Sequence, residues 1–370
     1  MRGPRRAAKV QPPRFDNCGG GAIGGAAPVF LFMRFLRLLP LPVLALTLRA
    51  AAPDATVAAD GTGSHATLQA AVDAAPAGRT APWVIAIKPG RYKEHVVVPP
   101  EKTFLTFRGE DAATTVITDD RNFNTLKADG TKYTTPESAT ALIQAKDFTA
   151  ENVTFENTTT REQKIQALAI YMTGDRGVFR RCRFLGWQDT LRADSPRRPG
   201  ASTEPDTPRP EGNARQYFVE CYIEGHVDFI YAASTAVFDR CHIHVKADGY
   251  ITAASTPQAA AFGYVFLDCK VTTGPLVEKG VYLGRPWRQF AATAFLRTEL
   301  AGNIRAEGWH NWGKAANEQT ARYAEYASTG PGAKPGQRVQ WAKQLTEEEA
   351  KAYTAEKILA GNDGWNPTRN

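Results

Sequence analysis

The sequence lacks the short motifs that mark several common classes of hydrolase. It contains no Gly-x-Ser-x-Gly stretch, which excludes the nucleophile elbow of an α/β-hydrolase. It has no His-Glu-x-x-His stretch, no pair of cysteines at zinc-finger spacing, and only six histidines in 370 residues. A Ser–His–Asp triad assembled from distant residues stays open, but no local motif supports one.

The chain also lacks an excess of charge once its first 52 residues are set aside. Those residues hold eight of the 45 basic side chains and one of the 38 acidic ones, which leaves 37 of each sign in residues 53–370. The overall charge therefore gives no attraction to nucleic acid, and any attraction to an acidic substrate has to be local. The hydrophobic content of 43% is that of an ordinary globular protein with a sizeable core.

The N-terminal region has the layout of an export signal. A short basic segment that begins at Met33 is followed by an apolar run, 38–48, and then by three alanines. The run is too short to span a bilayer as a helix. We therefore expect an exported protein, periplasmic or secreted and free of the membrane, with three regions: a mis-called extension at 1–32, a signal peptide at 33–52 and one folded domain at 53–370.

One phrase, Phe-x-x-Cys-x-apolar, recurs along the second half of the chain. It occurs in 179–186, 218–225, 238–245 and 266–273, and again in 295–302 with Thr298 in place of the cysteine. Repeats of this length with alternating apolar residues are typical of a solenoid of short strands, in which one position stacks on itself from coil to coil. A globular β-sandwich would not be expected to repeat the phrase. We predict an all-β solenoid.

The ends and the longest loop of this solenoid can also be predicted. Apolar spacing in 60–78 predicts a helix that closes one end, and 345–361, with Thr346 as N-cap, predicts a second helix on the solenoid or at its far end. The segment 193–215 is rich in Pro, Ser, Thr and Arg and adds little core. It is either a simple excursion or a flap beside a cleft.

Two aspartates lie inside apolar or aromatic runs, Asp189 in "GWQDTL" and Asp228 in "GHVDFIYA". Burial of a carboxylate is costly, so the pattern suggests paired acid and base roles, with Arg285 in "YLGRPW" as the cation that keeps one carboxylate ionised. The amides of Gln166 and Gln188 could stabilise an oxyanion. Each residue alone has a structural alternative: a buried ion pair for Asp228 and Arg285, and a ladder amide for Gln166.

With these residues in their order along the sequence, the chain resembles the pectin methylesterases. The matching segments span residues 60 to about 312 in the order of the family: "DGTGSHATLQAAVDAAP", "PGRYKEHV", "YTTPESAT", "FTAENVTFEN", "QALAIY", "GWQDTL", "GHVDFIYA", "GYITAAST" and "YLGRPW". The resemblance implies a right-handed, single-stranded parallel β-helix with helical caps. It implies a monomeric catalytic domain at 53–370 that needs no cofactor and acts on methyl-esterified homogalacturonan.

The resemblance also implies residue roles. Asp228 would attack the C6 methyl ester as nucleophile, and Asp189 would protonate the departing methanol and then activate water. Gln166 and Gln188 would hold the oxyanion, and Arg285 would pair with Asp228. The resemblance further implies a sugar-stacking platform at Trp287 and a cleft lined by five other residues: Tyr231, Tyr250, Thr252, Thr135 and Trp312.

Four cysteines remain in the domain, and the bacterial exported members of the family resemble this chain in the spacing of two of them. That resemblance implies a disulfide between Cys221 and Cys241. Stacked coils lie about 4.8 Å apart, which is within the Cα range of a disulfide. Cys182 and Cys269 fit buried apolar positions, although the sequence alone does not choose among the three complete pairings.

The chain departs from the family beside the two aspartates. Tyr231 and Ala232 stand where Phe-Gly is frequent, Trp187 replaces a common Tyr, and Arg192 replaces a frequent aromatic residue. Two alternatives therefore stay open. One is an esterase or thioesterase of the same fold with another substrate, and the other is a non-catalytic β-helix that binds polysaccharide.

Overall fold

The computed structural model describes residues 52–196 and 213–369. The predicted extension at 1–32 and nearly all of the predicted signal peptide lie outside this range, as does most of the 193–215 segment. Within the described ranges, no helix is long and apolar enough to cross a membrane.

The described chain is built of short parallel strands that stack in coils. The pairs between named strands are parallel, and neighbours in each sheet are separated in sequence by the rest of a coil. The strands are β1 (Ala55–Val57), β2 (Trp83–Ile87), β3 (Gly90–Lys93), β4 (Val96–Val98), β5 (Leu105–Gly109), β6 (Thr115–Asp119), β7 (Ala141–Ile143), β8 (Thr149–Glu151), β9 (Thr154–Asn157), β10 (Ile170–Met172), β11 (Gly177–Arg180), β12 (Arg183–Leu185), β13 (Leu191–Ala193), β14 (Arg215–Val219), β15 (Tyr222–Ala232), β16 (Thr235–Asp239), β17 (His242–Ala254), β18 (Tyr264–Leu267), β19 (Lys270–Gly284), β20 (Ala292–Leu296), β21 (Glu299–Leu300), β22 (Arg322–Tyr326) and β23 (Lys343–Gln344). This is the parallel β-helix that the repeats predict.

The strands form two hydrogen-bonded sheets. The first has eleven strands in the order β1-β2-β5-β8-β11-β14-β16-β18-β20-β22-β23. The second has twelve, because the long strands β15, β17 and β19 join two series. The start of β15 pairs with β12 through Tyr222 and Ile223, and its end pairs with β13 through Ile230 and Tyr231. These strands therefore carry the second sheet from one face of the coil to the next.

The recurring phrase forms the inside of the stack. Its phenylalanines lie ring on ring, with centroids 4.8 Å apart for Phe179 and Phe218, and 4.2 Å apart for Phe266 and Phe295. The residue before each cysteine has a left-handed backbone, for example Arg181 with φ 50° and Glu220 with φ 55°. This conformation turns the chain between the sheets, so that both the phenylalanine and the cysteine point inward.

The four cysteines stack as free, buried thiols, so the structure does not form the predicted Cys221–Cys241 disulfide. Each sulfur lies near carbonyl oxygens of its own and the preceding coil; Cys241 Sγ, for example, donates to Phe218 O at 3.4 Å. Register explains the difference. In-register positions of parallel strands lie about 4.8 Å apart with parallel Cα–Cβ bonds, whereas a disulfide requires Cβ atoms about 3.8 Å apart.

In the part of the chain that the structure describes, four short α-helices flank the strands: α1 (Leu68–Ala74), α2 (Ala316–Thr320), α3 (Glu347–Ala350) and α4 (Ala355–Leu359), with 3₁₀ turns at Arg161–Gln163 and Pro335–Gln337. Helix α1 packs on β1 and β4, which agrees with the predicted cap. The predicted C-terminal helix is split into α3 and α4. Thr346 caps α3 as predicted, while Ile358 and Leu359 of α4 pack with Tyr217 and Val237 on the outer face of the first sheet rather than at its end.

Candidate active site

Asp189 and Asp228 occupy equivalent positions in successive coils. Leu191 pairs with Ile230 and Arg192 pairs with Tyr231, so each aspartate precedes its coil's paired residues by the same number of positions. Both backbones are left-handed, with φ 66° at Asp189 and 51° at Asp228, and Asp189 N donates to Val227 O at 3.2 Å. Neighbouring parallel strands lie about 4.8 Å apart, so the two carboxyl groups share one site.

A bulge in β15 sets the position of Asp228. Val227 pairs with Tyr250 and Ile230 with Thr252, so β15 has one residue more than β17 over this stretch. Such an extra residue bends the strand and redirects a side chain, and aspartate is among the residues that tolerate the left-handed backbone this requires.

Arg285 binds Asp228 through both of its parallel donors. Nε lies 2.9 Å from Oδ1 and Nη2 lies 2.7 Å from Oδ2. The guanidinium is also held between two aromatic rings, because its Cζ lies 3.8 Å from the ring centroid of Tyr250 and 3.8 Å from that of Trp312. Bidentate pairing and stacking leave the guanidinium little freedom, so the orientation of the Asp228 carboxylate is fixed as well.

The surroundings of the two aspartates separate their acidities. Desolvation raises the pKa of Asp228, but hydrogen bonds and charge from Arg285 oppose that rise. The pKa of Asp189 is raised further, by desolvation first and by the negative charge of Asp228 second, against smaller opposing effects of Arg192, Tyr231 and Arg285. Asp189 is thus the carboxyl group that holds a proton more readily, and Asp228 is the one that ionises. This division suits acid and nucleophile roles.

The two glutamines lie on neighbouring coils that are hydrogen-bonded through their backbones next to Asp189. Ala167 N, next to Gln166, donates to Gln188 O at 3.2 Å, and Gln188 directly precedes Asp189. Both side chains are partly exposed. Neutral amides in these positions can donate to an oxyanion without changing the charge of the site.

The structure places most of the predicted cleft residues near this centre. Tyr250 and Trp312 enclose Arg285, and Trp287 lies partly exposed with its ring 5.9 Å from that of Tyr231. Tyr231 itself is only 4% exposed, so it lies beneath the cleft surface. Thr135 lies partly exposed on the segment between β6 and β7, where its carbonyl accepts from Ser138 Oγ at 3.0 Å.

Thr252 is not in the cleft, contrary to the prediction. It is fully buried, and its hydroxyl donates to Leu283 O at 3.0 Å. The bulge in β15 explains this, because it pairs Thr252 with the core residue Ile230 rather than with the outward-facing Tyr231.

Arg192 is a member of the site that was singled out in the sequence only as a departure from the family. It lies in a row of outward-facing residues, with Tyr171 on one side and Tyr231 on the other in strand register. Its Cζ lies 4.5 Å from the ring centroid of Tyr171, 5.2 Å from that of Tyr231 and 5.8 Å from that of Trp287. Its Nη2 donates to the buried Asp194 at 2.9 Å. The pattern Arg-x-Asp on a strand, which puts both charges on one face, was the available signal.

The described residues contain no group of three or more His, Cys, Asp or Glu side chains that could hold a metal ion. The site itself consists of one carboxylate bound by an arginine, one carboxyl group with a raised pKa, two amides and an aromatic wall. These groups can supply a nucleophile, an acid and oxyanion donors within one cleft.

The profile of the family described as Pectinesterase matches residues 54–199 and 211–362, and the chain belongs to this family. Pectinesterase 31 of Arabidopsis thaliana is 40% identical over 299 residues, which cover 80% of this chain and 88% of that protein. Among solved structures, the pectin methylesterase from carrot has a TM-score of 0.74 and 31% identity, covering 85% of this chain and 95% of the carrot chain.

A pectin methylesterase solved in complex with a hexasaccharide is also similar, with a TM-score of 0.71 and 30% identity over 87% of this chain and all of that one. The neighbours share the right-handed parallel β-helix, which confirms the predicted fold. The narrower expectation of a bacterial exported type finds no support in the curated relatives. Pectinesterase 31 is a plant protein, and so is pectinesterase/pectinesterase inhibitor U1 of Solanum lycopersicum, which is 37% identical and covers 84% of this chain and 51% of that protein.

Proposed function

We propose that this protein is a pectin methylesterase, a carboxylic ester hydrolase that removes methanol from C6-methylated galacturonate units of homogalacturonan. The observation that carries the proposal is the pair of in-register aspartates, one held bidentately by Arg285 and the other with a strongly raised pKa. Family membership and the resemblance to pectin methylesterases of known structure give the substrate class.

The first half of the reaction forms an acyl-enzyme. A carboxylate oxygen of Asp228 attacks the ester carbonyl carbon, and the carbonyl oxygen becomes an oxyanion that accepts hydrogen bonds from the amides of Gln166 and Gln188. As the carbonyl reforms, the C–O bond to the methoxy group breaks and Asp189 gives its proton to that oxygen. Methanol leaves, and galacturonate stays linked to Asp228 as an anhydride.

The second half releases the sugar as a carboxylic acid, which then loses its proton to solvent. Asp189, now ionised, takes a proton from water as the water oxygen attacks the galacturonate carbonyl, and the bond to Asp228 breaks. Arg285 receives the Asp228 carboxylate in the geometry it had at the start. Asp189 is again protonated, so the cycle closes without an external acid or base.

A polymeric substrate and export from the cell agree with the proposed pectin methylesterase activity. The similar enzyme that holds a hexasaccharide supports a cleft for several sugar units, with Trp287 as a stacking platform. We infer that residues 53–370 act as one monomeric catalytic domain, that 33–52 direct its export to the periplasm or the medium, and that 1–32 precede the true start.

Methanol release from highly methylated pectin tests the proposal, with Asp228→Ala beside the parent protein. We expect release by the parent and none by the variant, with both proteins showing the same β-rich circular dichroism. A folded parent that releases no methanol would refute the substrate class. Short methylated oligogalacturonates, other esters and thioesters would then be tested, because Arg192 and Tyr231 differ from the family beside the site and favour a changed substrate as the second candidate.

A further inference from the structure

Two departures from the family pattern meet beside the proposed acid. Arg192 and Tyr231 are 39 positions apart in the chain, but they are register partners on β13 and β15. The Arg192 Cζ lies 5.2 Å from the Tyr231 ring centroid. Each follows its coil's aspartate by three positions, so the pair lies directly downstream of the two carboxyl groups.

The Tyr231 hydroxyl is a buried donor without an acceptor. Its oxygen has no hydrogen-bond partner among the described residues, and the side chain is 4% exposed under Trp287. Asp189 lies three positions before Arg192, the register partner of Tyr231, and the Tyr231 hydroxyl is close enough to lower the pKa of Asp189. An unpaired buried hydroxyl is destabilising. Its presence here therefore indicates that the hydroxyl forms a hydrogen bond in another state of the protein.

The reaction supplies that state. Asp189 is protonated before acyl transfer and carries a negative charge after it has given its proton to methanol. We propose that Tyr231 is a positioning residue for Asp189: its hydroxyl donates to the Asp189 carboxylate once the charge has formed, and the Arg192 guanidinium supports that hydroxyl from the other side. This inference deepens the proposed function and rests on it.

The groups around Asp189 determine whether its charged form is favoured or disfavoured. Asp228 on β15 disfavours a charge on Asp189, while Arg192 on β13, Tyr231 on β15 and Arg285 after β19 favour it. A donor that acts only when the carboxylate is present stabilises the state after proton transfer more than the resting state. That difference accelerates the step, whereas equal stabilisation of both states would not.

Arg192 is kept in place by groups that are independent of the reaction. The fully buried Asp194 accepts from its Nε and Nη2 at 3.2 and 2.9 Å, and the Tyr171 ring lies on its other side. The Arg192 guanidinium and the Asp194 carboxylate therefore form a nearly neutral pair below the cleft surface. In this pair the guanidinium can interact with Tyr231 without a counter-ion from solvent.

The test is Tyr231→Phe, which removes the hydroxyl and keeps the ring against Trp287 and Arg192. The control is Tyr171→Phe, which removes a hydroxyl from the ring on the opposite side of the same guanidinium, where that hydroxyl donates to Asp194 Oδ2 at 3.5 Å rather than to Asp189. We expect Tyr231→Phe to lower kcat for methanol release by about 10- to 100-fold, the usual range for one hydrogen bond to a charged group. The alkaline limb of kcat, where the acid must hold its proton, should move up by about one pH unit, because the Asp189 carboxylate has lost a donor.

Tyr171→Phe should keep kcat within about twofold and leave the alkaline limb in place. A Tyr231→Phe enzyme with parental kcat and limb would overturn the proposal. So would a lower kcat with an unmoved limb, because lost packing alone gives that result. The double variant Arg192→Gln with Asp194→Asn removes both charges of this ion pair and so leaves the net charge unchanged. It should also move the alkaline limb to higher pH.

A measurement without substrate separates this proposal from the proposed function. The infrared carbonyl band of protonated Asp189, identified by its loss in Asp189→Asn, can be titrated in the parent and in Tyr231→Phe. A higher apparent pKa in the variant supports the role of Tyr231 even if pectin is not the substrate. An unchanged apparent pKa refutes that role even if methanol is released.

Discussion

Substitution of Arg285 by lysine tests the grip on the proposed nucleophile. The change keeps a positive charge but replaces a planar fork by a single ammonium group. In the parent, two donors meet both oxygens of Asp228 at 2.9 and 2.7 Å, and two rings enclose the guanidinium at 3.8 Å each. Lysine can satisfy one carboxylate oxygen and cannot stack in the same way.

The expected loss follows from those contacts. One charge-assisted hydrogen bond is worth about 1.5–3 kcal/mol, and loss of stacking between Tyr250 and Trp312 adds about 1 kcal/mol. A total of about 3 kcal/mol corresponds to a fall of about 100-fold in kcat/KM. Arg285 also lowers the pKa of Asp228 against the rise from desolvation, so a weaker partner lets that pKa rise. Since Asp228 must be ionised to attack, the acidic limb of the rate profile should move to higher pH.

The assay is methanol release in a buffer series that covers both limbs for the parent, Arg285→Lys and Arg285→Gln. We expect the acidic limb to move up in the lysine variant and further up in the glutamine variant. The alkaline limb should stay in place in the lysine variant, which keeps the positive charge, and should move up by less than the acidic limb in the glutamine variant, because Arg285 also lowers the pKa of Asp189 but is the smallest of the effects that do so. An acidic limb that stays at the parental pH in both variants would show that Arg285 does not control the ionisation of Asp228. Equal activity of the lysine variant and the parent would refute the importance of the bidentate contact.

Two predictions concern the interior of the coil. Phe266→Ala removes a ring that is stacked on Phe238 and Phe295 with centroid distances of 4.5 and 4.2 Å, so it should lower the free energy of unfolding by about 3–5 kcal/mol. Phe262 is partly exposed, so the control Phe262→Ala should cause a smaller loss. Equal shifts of the denaturant midpoint in the two variants would contradict the importance of the stack. Thiol titration of residues 53–370, unfolded without prior reduction, should find all four cysteines free. Added reductant should leave the thermal midpoint of unfolding unchanged. A titration that finds only two thiols would instead support the Cys221–Cys241 disulfide.

The coil could be predicted from the sequence because its signal is repeated. Each Phe-x-x-Cys phrase adds one more stacked phenylalanine, and the same left-handed residue recurs at Arg181, Glu220 and Arg240. The pairing of Asp189 with Asp228 was predictable for the same reason, since the 39-residue spacing of Phe179 and Phe218 also separates the two aspartates. Repetition along the chain therefore indicates which residues of successive coils lie in register.

Other features had no such repetition. The bulge at Asp228 shifts the register of β15 against β17, so simple alternation could not predict that Thr252 points inward. The split of the C-terminal helix depends on the apolar outer face around Tyr217 and Val237, which belongs to distant coils. The absence of a disulfide depends on the direction of Cα–Cβ bonds in stacked strands, which cysteine spacing does not encode.

The in-register placement of Asp189 and Asp228 has a consequence for how such a site can vary. Their separation is set by main-chain hydrogen bonding between β13 and β15, the same rise that separates any two coils, and not by the side chains around them. Substitutions can therefore change how strongly each carboxyl group holds its proton while the distance between them stays constant. In this fold the strength of the acid is adjustable residue by residue, as at Arg192 and Tyr231, whereas the span between acid and nucleophile changes only when a coil gains or loses a residue.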